Sequence, residues 1–198
     1  MNDNNSEDEA LSNLVAYFAE RLNLVFAYFY CIVEFEHDED FTAKPSESGR
    51  AWALQTIRAA CLHTTLIALR DLDDVLSPRT DRSKPDDLKI SDLGYPTGLS
   101  FLTATERHRI NKEIAHSTLP GAARRLNPWD IFELATKGIR QSLQFFEWAE
   151  RKFAAEHFLT WSAALVCRTR TQKTYDYFAG RIAEQRLART PTNATGNA

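Results

Sequence analysis

The sequence predicts an all-α protein, an up-and-down bundle of four or five helices. Three observations carry that expectation. Apolar residues recur at intervals of three and four over long stretches, the spacing of one helix face. No stretch shows the two-residue alternation of a half-buried strand. Only 7 Gly and 7 Pro interrupt a chain of 198 residues that is 43% hydrophobic, enough apolar matter for one substantial core.

The first element opens on Ser6 with Glu9 three residues later, a capping-box spacing. Leu11, Leu14, Val15, Phe18, Leu22, Val25, Phe26, Phe29 and Val33 follow at threes and fours, which predicts a long amphipathic helix from Ala10 to Glu36. At the helical rise it extends about 40 Å. Its aromatics, among them Tyr17, Tyr28 and Tyr30, pass partly around the cylinder. That surplus fits either a second core face or a dimer surface.

The acidic run Glu34 to Asp40 and the segment Lys44 to Gly49 form a loop. A second helix is expected from Gly49 to Leu76. Its small positions Ala53, Ile57, Ala60, Cys61, Thr64 and Ala68 invite close antiparallel packing on the first helix. Ser77 to Ser100 is rich in Pro, Asp, Lys and Gly, an irregular crossover with one short turn between Asp87 and Leu93. Its Arg79, Arg82, Lys84 and Lys89 either edge a substrate site or belong to a solvated linker.

A short polar helix follows from Thr103 to His116 and stops at Ser117-Thr118-Leu119-Pro120-Gly121. Asn127-Pro128 starts another long helix through Phe153, on whose apolar face lie Ile131, Leu134, Ile139, Leu143 and Phe146. From Glu156 to Arg189 the pattern reads as one interrupted helix or two, because the polar run Arg168 to Lys173 divides its apolar parts. Residues 1–9 and 189–198 are expected to be disordered, leaving 10–188 as a single helical domain.

A net charge of −3 and a pI near 6.0 exclude a broad basic surface for DNA and leave room for a small local basic site. Cys31, Cys61 and Cys167 are odd in number, far apart and without a C-x-x-C pair. They argue against a disulfide framework or a zinc site and for a reducing compartment. The acidic N-terminus is unlike a secretory signal, and the apolar run Leu22 to Val33 falls short of the ~20 residues that span a bilayer. A cytoplasmic protein is expected.

Chemistry concentrates in Glu106-Arg107-His108-Arg109-Ile110-Asn111-Lys112-Glu113-Ile114-Ala115-His116. Arg109 and His116 are seven apart, about 20° short of two turns, so both leave one helix face. Lys112 and Glu113 share it, while Ile110 and Ile114 give an apolar anchoring edge. An arginine, a histidine, a lysine and Asn111 on neighbouring turns suit holding a phosphate and moving a proton. The same residues also compose an ordinary solvated face. At the helix C-terminus the macrodipole favours the His116 imidazolium, and Arg109 and Lys112 oppose it.

Arg109-x6-His116, with Asn111-Lys112 inside and Ile114-Ala115-His116 at the end, resembles the Arg-x4-6-His motif of the HEPN superfamily. The likeness is greatest to abortive-infection members that read Arg-Asn-Lys-x-x-Ala-His, and Leu66 to Asp74 is similar to the Arg/Leu/Asp-rich end of an earlier helix there. The resemblance spans roughly residues 50 to 155. It departs at Ile110, which precedes Asn111 where those members have arginine, the arginine here standing one place earlier. The resemblance implies a HEPN-like toxin or abortive-infection protein of phage defence, a metal-independent endoribonuclease that cleaves RNA at the 2′-hydroxyl and needs no cofactor. It implies Arg109, His116 and Asn111 as catalytic and Lys112 and Arg107 as substrate-binding. It further implies a homodimer in which two motifs face one another, and a protein antitoxin as a partner.

Two other readings stand beside it. One is a HEPN-fold module that holds a nucleotide or a protein without turnover. The other is a ferritin-like di-iron bundle, for which Glu113-x-x-His116 and Glu34-x-x-His37 have the right spacing and Glu133, Glu147 and Glu150 are candidate carboxylates. His63, in an apolar stretch, reads as core, and His108 points away from the Arg109 face. Arg70, Asp73 and Asp74 read as helix-surface pairs, Arg70 with Asp74 at four apart.

Overall fold

The computed structural model describes residues 3–35, 38–39, 48–78, 89–95, 100–115, 130–154 and 157–189, with backbone alone for 3–7, 113–115, 158–159 and 186–189. Five helices carry these residues, and no strand occurs among them: α1 (Asp3–Phe35), α2 (Gly49–Leu76), α3 (Ala104–Ala115), α4 (Ile131–Phe153) and α5 (Phe158–Arg189). Among the described residues of the crossover a 3-10 turn forms at Ile90–Leu93, inside the stretch expected to form one. The all-α bundle is the predicted fold class.

Helix α1 begins at Asp3 and not at Ala10, so Ser6 lies inside the helix and the expected disordered leader is helical from residue 3. The extra turns are tied down at Asp8. Its carboxylate lies 3.1 Å from Nδ1 of His157 and accepts a 2.5 Å bond from the Thr160 hydroxyl. Helix α2 occupies the predicted span because Ser48, in extended backbone, caps it by accepting from the Ala51 amide at 2.9 Å. The Thr65 hydroxyl donates to the Leu24 carbonyl, and Cys61 meets Cys31. Numbers falling along one helix as they rise along the other make the pair antiparallel, as expected.

The buried face of α2 differs from the expected one. Leu66, Leu69, Leu72 and Leu76 are buried, whereas Ile57 is 46% exposed and Ala60 lies at the surface. The leading half of α2 buries Ala51 and Leu54, and the inward face is the leucine face farther along.

Helix α1 packs against α2 on one flank and α5 on the other, and α4 closes on α5. Phe18 stacks on Phe145 with centroids 4.3 Å apart. Phe29 sits between Phe132 and Phe178 at 5.6 and 6.0 Å. Such pairs contribute roughly 0.5–1.5 kcal/mol beyond the area they bury. This arrangement answers the aromatic surplus of α1: Phe26, Tyr28 and Phe29 are buried and Tyr30 alone of these is mostly exposed. The second apolar face is core, consumed by α5.

Helix α5 is one unbroken element of 32 residues. The polar run Arg168 to Lys173 does not interrupt it, because Thr169, Arg170, Gln172 and Lys173 turn outward while Thr171 is buried. Helix α4 starts at Ile131 with Asp130 as cap, whose side chain accepts from the Glu133 amide at 2.9 Å; Asn127-Pro128 lies outside the described residues. A Cβ on Gly138 would come within 2.8 Å of Leu69 Cδ2 and 3.1 Å of the Phe101 ring. Glycine there lets α4 approach α2 and the segment that leads into α3.

Candidate functional site on helix α3

Helix α3 is fixed at its start by a reciprocal cap. The Glu106 carboxylate accepts from the Thr103 amide at 2.7 Å and the Thr103 hydroxyl at 2.8 Å, and the Glu106 amide donates back to that hydroxyl at 3.2 Å. Lys137 of α4 reaches the same carboxylate at 3.5 Å. Burial by itself raises the Glu106 carboxyl, but the Thr103 donors and the Lys137 ammonium outweigh it and hold the group below the ordinary glutamate value of 4.5. A depressed carboxyl stabilises the fold above its unfolded value, and that contribution is lost as pH falls through the folded one. Thr103→Ala is therefore expected to cost about 1 kcal/mol near neutrality. It should also flatten the fall of Tm on the acid side of about pH 4.5, which thermal melts across pH check directly.

One residue on, the chain turns inward. The Arg107 guanidinium donates to Asp74 at 2.7 Å, to Asp73, and to the Ser77 hydroxyl at 2.9 Å. The Asp73 side chain is fully buried. It also accepts from the Phe101 amide at 2.8 Å, the Leu102 amide at 3.0 Å and the Ser100 hydroxyl at 3.0 Å. Burial pushes its carboxyl above the ordinary aspartate range, against the downward pull of the Leu102 amide, the Arg107 charge, the Phe101 amide and the Ser100 hydroxyl. The pairs continue across the bundle. Arg70 lies 3.0 Å from Asp71 and 4.0 Å from Asp74, Arg21 lies 3.2 Å from Asp71, and Arg21 also covers the Tyr17 ring at 4.7 Å.

This ladder of three arginines and three aspartates joins α1, α2 and α3 and is neutral in itself. It changes two readings. Asp73 is an interior anchor and not a helix-surface partner, while Arg70 and Asp74 do pair as the spacing implied. Arg107, expected at the substrate, is committed to Asp73 and Asp74 and holds α3 onto α2. Lys89, a candidate edge of the site, is nearly buried and donates to the Asp74 carbonyl. Arg79, Arg82 and Lys84 lie outside the described residues.

Beyond Arg107 the helix turns its polar side out. Ile110 is fully buried, Arg109 beside it is half-buried, and Asn111 and Lys112 are exposed. Helix α3 is regular through Ala115. Arg109 and Asn111, two residues apart, therefore leave it about 160° apart around the axis, on opposite flanks of the Ile110 edge. Lys112 falls nearer the Arg109 side. His116 and the side chains of Glu113 and Ile114 lie outside the described residues.

The carboxylates considered for a di-iron centre have other partners. Glu133 lies 2.9 Å from Lys137, Glu147 lies 3.9 Å from Arg151 and Glu150 lies 2.5 Å from Arg168. Each faces a cation, and no group of three metal-ligating side chains forms among the described residues. His37 is outside them. His108 is exposed and His63 half-buried. A cleft of about 440 Å³ between α4 and α5 is lined by Leu143, Gln144, Glu147, Arg168, Gln172 and Lys173, with Thr169 at its edge. It offers cations but no imidazole.

No described helix is long and apolar enough to cross a membrane. No family model, curated protein or solved structure matches the chain.

Proposed function

We propose that this chain is an endoribonuclease of the HEPN kind, acting as a toxin or abortive-infection protein through the polar side of α3. One observation carries the reading. Helix α3 is regular from Ala104 through Ala115 and carries Arg109 and Lys112 toward one flank of its outward side. The cap at Thr103 and the Arg107 clamp hold the start of the helix, and Asn111 and Lys112 are exposed farther along it.

In the proposed reaction the 2′-hydroxyl of RNA attacks the adjacent phosphorus and its proton passes to an imidazole. The bond to the 5′-oxygen breaks, and that oxygen takes a proton from an imidazolium. Arg109 donates paired hydrogen bonds to the phosphorane oxygens as their charge builds, and Lys112 adds positive potential. The step runs through His116 and Arg109, with Lys112 beside them and no metal or cofactor in it. Acid and base act on opposite sides of the phosphorus while each chain carries one motif histidine, so the working unit is a homodimer with two α3 helices near its axis. Asn111, on the far flank of its own helix, then contributes to the strand or to the partner's side of the cleft.

A second reading, a HEPN-fold module that binds a nucleotide or protein without turnover, draws support from the divergence of Arg109 and Asn111 within one chain. Incubation of the protein with RNA in the presence of a metal chelator separates the two. The nuclease reading expects fragments that accumulate with time and protein concentration, and recovery of intact RNA under all such conditions overturns it.

A further inference from the structure

Two of the three cysteines are neighbours in space, although thirty residues separate them in the sequence. Sγ of Cys31 on α1 lies 3.3 Å from Sγ of Cys61 on α2. Cys31 is buried and Cys61 is half-buried. Cys167 lies on α5 and is half-buried. All three are free thiols.

We propose that Cys31 and Cys61 form a peroxide-responsive dithiol site whose oxidation closes a disulfide between α1 and α2. The sequence of bonds follows from exposure. A hydroperoxide in solution reaches Cys61, which faces water in part, and transfers one oxygen to its sulfur; the thiol becomes a sulfenic acid and the peroxide becomes an alcohol or water. The Cys31 sulfur then attacks the Cys61 sulfur. The S–O bond breaks as the S–S bond forms, and the departing hydroxyl leaves as water with the Cys31 proton. Overall two thiols lose two electrons and two protons to one peroxide.

The surroundings assign the two roles. Burial and the contact with Cys61 push the Cys31 thiol up to about 12, and Cys31 is the buried member of the pair while Cys61 is only partly covered. Cys61 is thus the atom attacked, and Cys31 the resolving group. A thiol so raised is a slow nucleophile in solution. Contact at 3.3 Å compensates, because the second step is intramolecular and its partner is already in place. Closing the bond shortens the separation to about 2.05 Å, a small adjustment between two helices that already touch.

The position of the link determines what it does. Upstream of Cys61, α2 is mostly exposed from Trp52 to Ala60, and Trp52 itself is 61% exposed. Ala51 and Leu54 are the buried positions of that half of the helix. The disulfide fastens it at the point where the leucine face begins, far along α2 from Asp73 and the Arg107 clamp. It therefore stiffens the outer half of the α1–α2 hairpin and leaves the anchor of α3 as it was.

The test uses the full-length protein, fully reduced and then treated with hydrogen peroxide. Titration of accessible thiols under denaturing conditions should fall from three to one, with no larger species on a non-reducing gel. Peptide mapping should recover a linked pair containing Cys31 and Cys61. The Tm should rise by roughly 5–15 °C and return on reduction. Amide exchange should slow in 49–60 and stay unchanged in α4. Cys167→Ser should behave as wild type, falling from two thiols to none. Cys61→Ser, at a half-buried position, should lose the link and the Tm rise. Three thiols remaining, a disulfide between chains, or sulfinic acid at Cys61 without a link would each overturn the proposal.

Discussion

Asp73→Ala is expected to destabilise the protein by about 3 to 5 kcal/mol, the usual cost of removing one partner from a buried ion pair. Asp73 is fully buried and accepts from Arg107, from the Ser100 hydroxyl and from two consecutive backbone amides. Alanine leaves the amides of Phe101 and Leu102 without an acceptor in the interior and strips Arg107 of its deepest counterion. At about 2–4 °C per kcal/mol for a chain of this size, Tm should fall by roughly 6 to 20 °C. Arg107→Ala should cost less, since Asp73 then keeps three neutral donors. A Tm for Asp73→Ala within ~2 °C of wild type would mean the network carries no structural weight. Asp73 and Glu106 also oppose one another in acid. A carboxyl raised by burial favours the fold as pH falls through its folded value, whereas the depressed Glu106 loses its contribution over its own range.

Arg109→Ala should do the reverse, removing function and sparing the fold. Loss of one donor to a developing oxyanion typically lowers turnover by about 10²- to 10³-fold, and loss of the general acid or base in His116→Ala by about 10²- to 10⁴-fold. Arg109 is half-buried on α3, and the cation on the buried Asp73 is Arg107, so truncating Arg109 should cost clearly less stability than Asp73→Ala. Rate and melting temperature measured on the same preparations separate site from scaffold: Arg109→Ala low in rate and near wild type in Tm, Asp73→Ala low in Tm. An Arg109→Ala protein that melts many degrees lower while cleaving RNA at the wild-type rate would show the arginine to be structural.

Much of the scaffold was legible in the sequence because local signals set it. Ser48 and Gly49 mark the start of α2, the three-four spacing of α1 and α4 marks their inner faces, and Ile110 marks the buried edge of α3. What escaped was set by contacts between distant residues. Asp73 looks like one of a set of helix-surface pairing residues with Arg70 and Asp74 until the Ser100 hydroxyl and the Phe101 and Leu102 amides, 27 to 29 residues on, close over it. Arg107 looks available for a phosphate until those aspartates reach it. The polar run Arg168 to Lys173 looks like a break, but propensity for helix on either side and one buried threonine carry α5 through it. Cys31 and Cys61 look unrelated until α1 and α2 are laid antiparallel; the Thr65 to Leu24 register brings the two sulfurs together.

The ends of the RNA fragments test the central claim most directly. Attack by the 2′-hydroxyl, as proposed for His116 and Arg109, leaves a 2′,3′-cyclic phosphate on one fragment and a 5′-hydroxyl on the next. Mass spectrometry of fragments produced by the wild-type protein in metal chelator, with His116→Ala as the matched control, should find both ends with the wild type and neither with the variant. Fragments bearing a 5′-phosphate, or the same fragments from His116→Ala, would contradict the account.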